Sequence, residues 1–339
     1  MVEWGMLLAP MLAAAVAAGP VCKIDDKRLD ELSGLVATAD GYVVVNDGAD
    51  QASHRKIFYL SKKCAVQRTV SYPSRPRDTE DLQLGKDGTL WVADIGDNGS
   101  SRDTVALWKL APGASEPSLL RLSYPDGAHD AEALLIAPDG SPIIVTKTAG
   151  SAGIYVPAGP LRSGGTTALK SAGSVSVPIT ATSNPFSFAG RLLVTGAATS
   201  PDGSRVVLRT YADAFEYDVT GGDVVAALTS GTPRQVALPD EPQGESVAYT
   251  ADGTALVTVS EGSKPSLMRY PLPDAPAPVA ASSPAPSSPA PVASPSTDVA
   301  PARASGNKPS RLPLVLFLIA GTAAVLAAAV ALLRRSRRS

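Results

Sequence analysis

One pattern recurs five times in this 339-residue chain: a short strand, an Asp-Gly turn and a second apolar strand. The copies are LSGLVATADGYVVVND, TEDLQLGKDGTLWVAD, AEALLIAPDGSPIIVT, VTGAATSPDGSRVVLRTY and GESVAYTADGTALVTVSEG. Their turn residues Asp40, Asp87, Asp139, Asp202 and Asp252 are 47, 52, 63 and 50 residues apart. Asp-Gly between alternating apolar residues is a strong hairpin signal, and this period is typical of propeller blades. The repeat therefore predicts an all-β fold.

Further strand candidates complete the blades. Each hairpin is followed by a third strand, and the first four units add a fourth, whereas the fifth runs into a proline-rich segment. The segment CKIDDKRL, residues 22–29, can supply the missing outer strand, which closes the ring and hides the sheet edges. We predict a β-propeller of five blades closed by this N-terminal strand. Extra Gly, Ser and Pro in residues 149–193 leave six blades as the alternative.

The chain has two cysteines, Cys22 and Cys64. Closure of the ring by the N-terminal strand would bring them together on adjacent blades. We therefore predict a disulfide in an exported protein, with two unlinked thiols as the alternative. Such a bond would stabilise the fold by about 4 kcal/mol at most.

The segments that flank the propeller predict export and anchoring. Residues 1–20 hold an apolar run ending in small residues, which indicates a signal peptide, although its first residues carry no Lys or Arg. The propeller is predicted at 21–272, followed by a disordered Pro/Ala/Ser-rich stalk at 273–311. Residues 312–333 contain twenty consecutive uncharged residues, enough for one transmembrane helix. The basic tail 334–339 places the C-terminus in the cytoplasm and the propeller outside the cell membrane.

The predicted exported part is acidic. The formal net charge of the chain is −2, and residues 274–339 carry seven Lys or Arg and two Asp, which leaves −7 for residues 1–273. This charge argues against nucleic acid or an anionic membrane surface as a partner and favours cations or basic groups.

Polar residues recur at one position of the repeat. Seven residues before each turn aspartate, at the start of the first strand, stand Ser33, Glu80, Glu132, Thr195 and Glu245. The first strand of every blade lines the central channel, so these positions are predicted to form a ring at one depth. The second strands return to the same end. We therefore predict a ligand-binding channel mouth lined by Glu80, Glu132, Glu245, Asp47, Asp94, Lys147, Arg209 and Glu261.

Carboxylates that are held close together raise one another's pKa unless a cation or donor intervenes. The ring is thus expected to bind a metal, to pair with Arg209 and Lys147, or to hold a proton. Calcium is the cation that best suits oxygen ligands in a chain with two His. The loop DIGDNGSSRD adds acidic groups, so the candidate metal ligands are Glu80, Asp94 and Asp97. Asx-turns held by Arg102 are the alternative for that loop.

Several segments resemble a known family. ELSGL, DTEDL with WVADIGDN, DAEAL, SPDGSRVVLRTY and GESVAY with VSEG are similar to exported bacterial propellers grouped with the esterase-like phytase family. The resemblance covers about residues 22 to 272 and implies a propeller with polar groups at its channel mouth. It carries over Glu80, Glu132, Glu245 and Glu261 as candidate site residues.

Two functions follow from these features. The first is a membrane-anchored extracytoplasmic propeller that binds an unknown cell-envelope ligand or protein. The second is a calcium-dependent hydrolase of a phosphorylated or ester substrate at the acidic mouth. The sequence contains no zinc-ligand spacing, phosphate loop or nucleophile elbow.

Overall fold

The computed structural model of the protein describes residues 18–239 and 241–273, which form twenty β-strands and two short helices. Strand β1 (Gly19–Lys23) comes first. The first unit is β2 (Leu32–Ala37), β3 (Gly41–Asn46), β4 (Lys56–Ser61) and β5 (Val66–Ser71). The second is β6 (Asp81–Leu84), β7 (Leu90–Asp94), β8 (Val105–Leu110) and β9 (Ser118–Ser123).

The third unit is β10 (Ala131–Ile136), β11 (Pro142–Thr146), β12 (Ser151–Pro157) and β13 (Thr166–Ser176). Helix α1 (Ser187–Gly190) lies before the fourth unit, which is β14 (Val194–Thr199), β15 (Arg205–Thr210), β16 (Asp213–Asp218), helix α2 (Val224–Ser230) and β17 (Arg234–Ala237). The last strands are β18 (Gly244–Tyr249), β19 (Ala255–Ser260) and β20 (Ser266–Pro271).

The five units are arranged around a ring. Each is a four-stranded antiparallel arrangement that begins with its inner strand, and β1 pairs with β20 to complete the last one. The inner strands β2, β6, β10, β14 and β18 pack side by side, and β18 also packs against β2. This closed order is that of a β-propeller. The predicted all-β fold and the predicted closing strand are therefore confirmed.

The Cys22–Cys64 disulfide is also confirmed, and it joins β1 to the turn that follows β4. Strand β1 begins at Gly19, two residues before the predicted start of the propeller. Because the bond links the last unit to the first, it ties the two ends of the ring together.

Residues 149–193, where a sixth blade was considered, complete the third unit and connect it to the fourth. Strand β13 is eleven residues long, and Thr166–Ala168 at its start pair in parallel with Arg121–Ser123 of β9. The second and third units consequently form one eight-stranded sheet.

Apolar side chains fill the interfaces between units. Leu35 and Val44 of the first unit share a buried cluster with Val257 and Val259 of the last one. Neighbouring units cover both faces of the strands near the centre of the ring. Strands β10, β18 and β19 are consequently buried at every position. The polar residues in these strands, such as Glu132 and Glu245, are therefore buried as well.

The Asp-Gly turns are structural. In four of them, Gly88, Gly140, Gly203 and Gly253, φ lies between 68° and 86°, a region that favours glycine. The preceding aspartates accept the backbone N–H two residues onward at 2.9–3.0 Å. We call this side of the ring the turn end, and the opposite side, where the inner strands begin, the carboxylate end.

Side chains from β6 fill the middle of the ring. Asp81 accepts the backbone N–H of Leu134 on β10 at 2.8 Å and of Ala197 on β14 at 3.2 Å. Gln83 donates to the carbonyl of Ala197 at 2.8 Å. Burial raises the pKa of Asp81, and these backbone donors partly oppose that shift. Asp81 and Gln83 therefore separate the carboxylate end from the turn end.

Most of the predicted flanking segments lie outside the described residues. These are nearly all of the signal peptide 1–20 and of the stalk 273–311, and the whole of the transmembrane helix 312–333 and the tail 334–339. No helix within residues 18–239 and 241–273 has the length and apolar character needed to cross a membrane.

Candidate functional site

β-Bulges aim the ring residues at the carboxylate end. The pairing register shifts around Ser33, Glu132, Thr195 and Glu245, one in each of four inner strands. In the second unit, the backbone N–H of Glu80 donates to the Ala93 carbonyl at 2.8 Å, while Asp81 is the register partner of the same residue. A bulge inserts one residue and re-aims its side chain. The position seven residues before each turn aspartate is thus the bulge position of its inner strand.

The three glutamates are buried. Glu80 and Glu132 are each 1% exposed and Glu245 is 0% exposed. Neighbouring groups therefore cover the glutamates that were predicted to line the channel mouth. Asp47 is 7% exposed and Asp78 is half-buried, so they form the outer part of the carboxylate end.

Three carboxylates come together at one edge of this end. Asp47, Asp78 and Glu80 each offer an oxygen, and these oxygens lie within 4.8 Å of one another. A Cβ built on Gly96 would lie 2.2 Å from Glu80 Oε1 and 2.6 Å from Asp78 Oδ2, and one built on Gly48 would lie 2.3 Å from Asp78 Oδ1. Because these two glycines have no Cβ, the carboxylates can occupy the space beside them.

Glu80 is the least satisfied member of this cluster. Its Oε2 lies 3.2 Å from the Ser33 hydroxyl, which approaches the Glu80 backbone carbonyl more closely, and its buried Oε1 has no hydrogen-bond partner among the described residues. Burial and then the charges of Asp47 and Asp78 raise the pKa of Glu80 well above its usual value. A buried carboxyl oxygen without a donor is costly. A cation bound here would remove that cost.

The donor set suits calcium. Calcium takes six to eight oxygen ligands, often from carboxylates and carbonyls, and the cluster contains neither His nor Cys. Asp47, Asp78 and Glu80 would hold the ion and join the end of β3 to the start of β6. Coordination by three carboxylates leaves positions for water or for a ligand.

A second group lies beside the cluster. Lys147 forms an ion pair with Glu132 Oε1, and its ammonium lies 5.4 Å from the centre of the Tyr211 ring. The Tyr211 hydroxyl donates to Glu245 Oε1 at 3.1 Å. Burial alone would lower the pKa of Lys147, but Glu132, Tyr211 and Glu245 raise it overall, so the ammonium stays charged. Lys147, Glu132 and Glu245 are together as predicted.

The connection before β14 adds an aromatic neighbour. Phe186 packs on Tyr211 with ring centroids 4.3 Å apart. Ile179 and Phe188 in the same connection are 74% and 54% exposed. Phe186 therefore covers Tyr211, the residue that donates to Glu245.

Asp94 does not join Glu80 in this cluster. It accepts the backbone N–H groups of Arg77 and Asp78 at 3.0 Å, the Arg102 guanidinium at 3.0 Å and the Trp108 indole at 3.2 Å. Four donors occupy its two oxygens, so the structure gives Asp94 a structural role instead of the predicted metal-binding one.

Asp97 likewise organises its own loop. Its Oδ2 accepts the backbone N–H groups of Ser101 and Arg102, both at 2.7 Å. Arg102 also donates to the carbonyls of Gly96 and Asp94, at 2.7 and 3.0 Å. These contacts agree with the alternative of an Asx-turn held by Arg102. The carboxylate cluster with Glu80 contains Asp47 and Asp78 instead of the predicted Asp94 and Asp97.

Arg209 pairs with Glu241 instead of with the ring of glutamates. It is 0% exposed and donates to Glu241 Oε2 at 2.5 Å and to the Ser246 carbonyl at 2.7 Å. Glu241 also accepts the hydroxyls of Thr258 and Tyr270, at 2.6 and 2.7 Å. This buried ion pair joins the fourth and fifth units.

Glu261 lies near the edge of the carboxylate end and is half-buried. Its backbone N–H donates to the Gln243 carbonyl at 2.9 Å, and the Gln243 side chain donates to Glu245 Oε1 at 3.3 Å. Gln243 therefore connects Glu261 to the ring of glutamates.

Sequence reasoning missed Asp78, Tyr211 and Glu241 as site or support residues. Asp78 begins the stretch DTEDL and precedes Glu80 by two residues, so the acidic doublet was the available signal. Tyr211 lies in the turn between β15 and β16, and Glu241 precedes β18 outside the repeat. Neither stands at a repeated position that would have marked it.

Comparisons with known proteins give distant structural neighbours. No family model matches the chain, and no curated protein matches it. It is similar to a gluconolactonase from Xanthomonas campestris at 16% identity and a TM-score of 0.41, over 71% of this chain and 72% of that one. It is also similar to a streptogramin B lyase at 13% identity and a TM-score of 0.35, over 70% of this chain and 65% of that one.

Proposed function

We propose that this chain is an exported five-bladed propeller that binds calcium at Asp47, Asp78 and Glu80 and uses the carboxylate end to bind a ligand or protein at the cell surface. The observation that carries the proposal is the buried Glu80 Oε1, which has no donor within residues 18–239 and 241–273 and lies in a cluster with two other carboxylates.

Charge supports a cation in this position. Glu80 forms no ion pair among the described residues, and Lys147 already pairs with Glu132. Buried carboxylates without a cation must be protonated or destabilise the fold. A divalent ion would offset several of these charges at once.

The point at which the chain leaves the propeller supports a carboxylate end that faces away from the membrane. Leu272, which follows β20, donates its backbone N–H to the Thr254 carbonyl beside the fifth Asp-Gly turn. The chain therefore leaves the ring at the turn end. If residues 273–311 form the stalk and 312–333 the anchor, the carboxylate end points away from the membrane.

A hydrolase is the second candidate function. One observation favours it: Lys147, Tyr211 and Glu245 lie beside the proposed cation and include a charged ammonium and a hydrogen-bonded hydroxyl. Turnover of phosphate or carboxylic esters that requires both calcium and Lys147 would support this function. Ester turnover that persists unchanged in Lys147→Gln would contradict it.

Thermal unfolding of the full-length chain in EDTA and in calcium tests the cation site. At a calcium concentration 100 times the dissociation constant, binding should stabilise the native state by about 2.7 kcal/mol. Glu80→Gln and Asp78→Asn should lose most of this response. Asp40→Asn is the matched control, because it removes one carboxylate at the turn end and should respond like the unaltered chain.

Isothermal titration with calcium gives the corresponding affinities. The proposal fails if calcium does not shift the melting temperature of the unaltered chain. It also fails if Glu80→Gln binds calcium as tightly as Asp40→Asn does.

A further inference from the structure

A cavity of about 350 Å³ opens at the turn end of the ring. The ends of all five inner strands line it, with Leu84, Lys86, Pro138, Pro201, Ala248 and Ala251 among the lining residues. Gln83 also lines it, and with Asp81 it separates the cavity from the carboxylate end. The cavity is therefore independent of the proposed calcium site.

Apolar atoms form somewhat more of the surface of this cavity than polar atoms do. Leu84 lies in an inner strand and yet is 44% exposed. The polar side chains of the lining are engaged within the protein: Thr199 donates to the Ile136 carbonyl at 3.2 Å, Ser200 to Asp202 at 2.6 Å, and Tyr249 to Glu216 at 3.0 Å. An apolar group that enters the cavity could therefore cover Leu84 without breaking any of these hydrogen bonds.

Lys86 supplies one charge at the rim. Its side chain extends from the second unit to the fourth, since a Cβ built on Gly203 would lie 3.0 Å from Lys86 Cε and Nζ. Within residues 18–239 and 241–273, Lys86 forms no hydrogen bond or ion pair. Nearby acids have partners elsewhere, because Asp87 binds Thr89 and Asp202 binds Ser200 and Ser204.

We propose that this cavity binds a small amphipathic anion, with an apolar body against Leu84 and a terminal carboxylate on Lys86. The apolar body would remove the exposed part of Leu84 from water, which is favourable in proportion to the area covered. The carboxylate would make a charge-assisted hydrogen bond with the Lys86 ammonium. The volume suits a ligand of this size, since it lies near the lower limit for small-molecule sites.

Isothermal titration of the full-length chain with phenylpropionate tests the proposal. Phenylpropylammonium carries the same kind of apolar body with the opposite charge, and acetate carries the charge without the body. We expect phenylpropionate to bind more tightly than either. Titrations in EDTA should give the same affinity as those in calcium, because the calcium site lies on the other side of Asp81.

Variants separate the two contacts. Lys86→Gln should weaken phenylpropionate binding by about tenfold or more, as expected for the loss of one charge-assisted contact. Lys62→Gln is the matched control, since it removes an exposed lysine from the outer turn after β4 and should bind like the unaltered chain. Leu84→Gln should also weaken binding. Melting temperatures of all variants establish that the fold is retained.

Three results would overturn the proposal. The first is an unaltered chain that does not bind phenylpropionate, and the second is one that binds phenylpropylammonium equally well. The third is equal affinity in Lys86→Gln and Lys62→Gln, which would show that the Lys86 ammonium does not contact the carboxylate. None of these results would affect the calcium proposal.

Discussion

Arg209→Met should be among the most destabilising single substitutions in the described part of the chain. Arg209 is fully buried, and its guanidinium donates to Glu241, to the Ser246 carbonyl and, at 3.3 Å, to the Thr210 carbonyl. Methionine would fill much of the volume but would leave the Glu241 carboxylate without its cation. Glu241 is only 5% exposed, so water cannot replace the lost partner.

The expected cost is about 3–5 kcal/mol, the usual effect of removing one partner of a buried ion pair. The hydroxyls of Thr258 and Tyr270 still donate to Glu241, which favours the lower part of that range. Urea denaturation of the full-length chain measures the free energy of unfolding. Arg234→Met is the matched control: that side chain is 38% exposed and pairs with Glu216 and Asp218, so its loss should cost about 1 kcal/mol or less.

The double variant Arg209→Met with Glu241→Gln tests the cause. The glutamine keeps an acceptor for the two hydroxyls and removes the unpaired charge, so it should recover part of the stability. Burial raises the pKa of Glu241, but Arg209 and the two hydroxyls together lower it overall. The ion pair therefore stabilises the fold above the carboxyl pKa of the unfolded chain, about 4.3, and this stability is lost as the pH falls through the folded pKa. A cost below about 1 kcal/mol, or a double variant no more stable than Arg209→Met, would refute the reasoning.

Three further predictions concern the ring. Burial raises the pKa of Glu80, so the folded chain holds the Glu80 proton more tightly than the unfolded chain does. The stability gained from this protonation is complete below about pH 4.3 and is lost as the pH rises through the folded pKa. The melting temperature in EDTA should therefore fall toward alkaline pH, and Glu80→Gln should reduce that fall. Cys22→Ser with Cys64→Ser removes a bond that spans 42 residues and should lower the free energy of unfolding by about 4 kcal/mol in urea titrations. Gly96→Ala should abolish the calcium response in calorimetry, because the added Cβ would lie 2.2 Å from Glu80 Oε1; a retained response would contradict the placement of the site.

The repeat determined much of the architecture in advance. The Asp-Gly turns predicted the hairpins, and the missing outer strand of the fifth unit predicted the pairing of β1 with β20 and the Cys22–Cys64 bond. These features depend on local turn chemistry and on the need to cover sheet edges, and both are visible in sequence. The equivalent positions of the glutamates were predictable for the same reason.

The direction of individual side chains was harder to predict. Arg209 on the second strand of the fourth unit bonds to Glu241 and Ser246 of the fifth unit instead of to the ring of glutamates. Asp94 and Asp78 belong to one acidic stretch, but Asp94 is held by Trp108, a residue 14 positions away on β8. Such tertiary donors decide which carboxylate of the stretch lies beside Glu80, and no local pattern in the sequence shows them.

The propeller does not need acidic residues at the five equivalent positions in order to close. Five equivalent positions exist, and two of them hold Ser33 and Thr195, whose hydroxyls donate to the backbone carbonyls of Glu80, just before β6, and of Gly244 at the start of β18. A short hydroxyl side chain therefore satisfies this position without any charge. Glu80 instead places a buried oxygen that has no donor among the described residues beside two other carboxylates, which costs stability that a hydroxyl would not cost. The calcium proposal accounts for this cost, because a cation bound at the cluster would remove it.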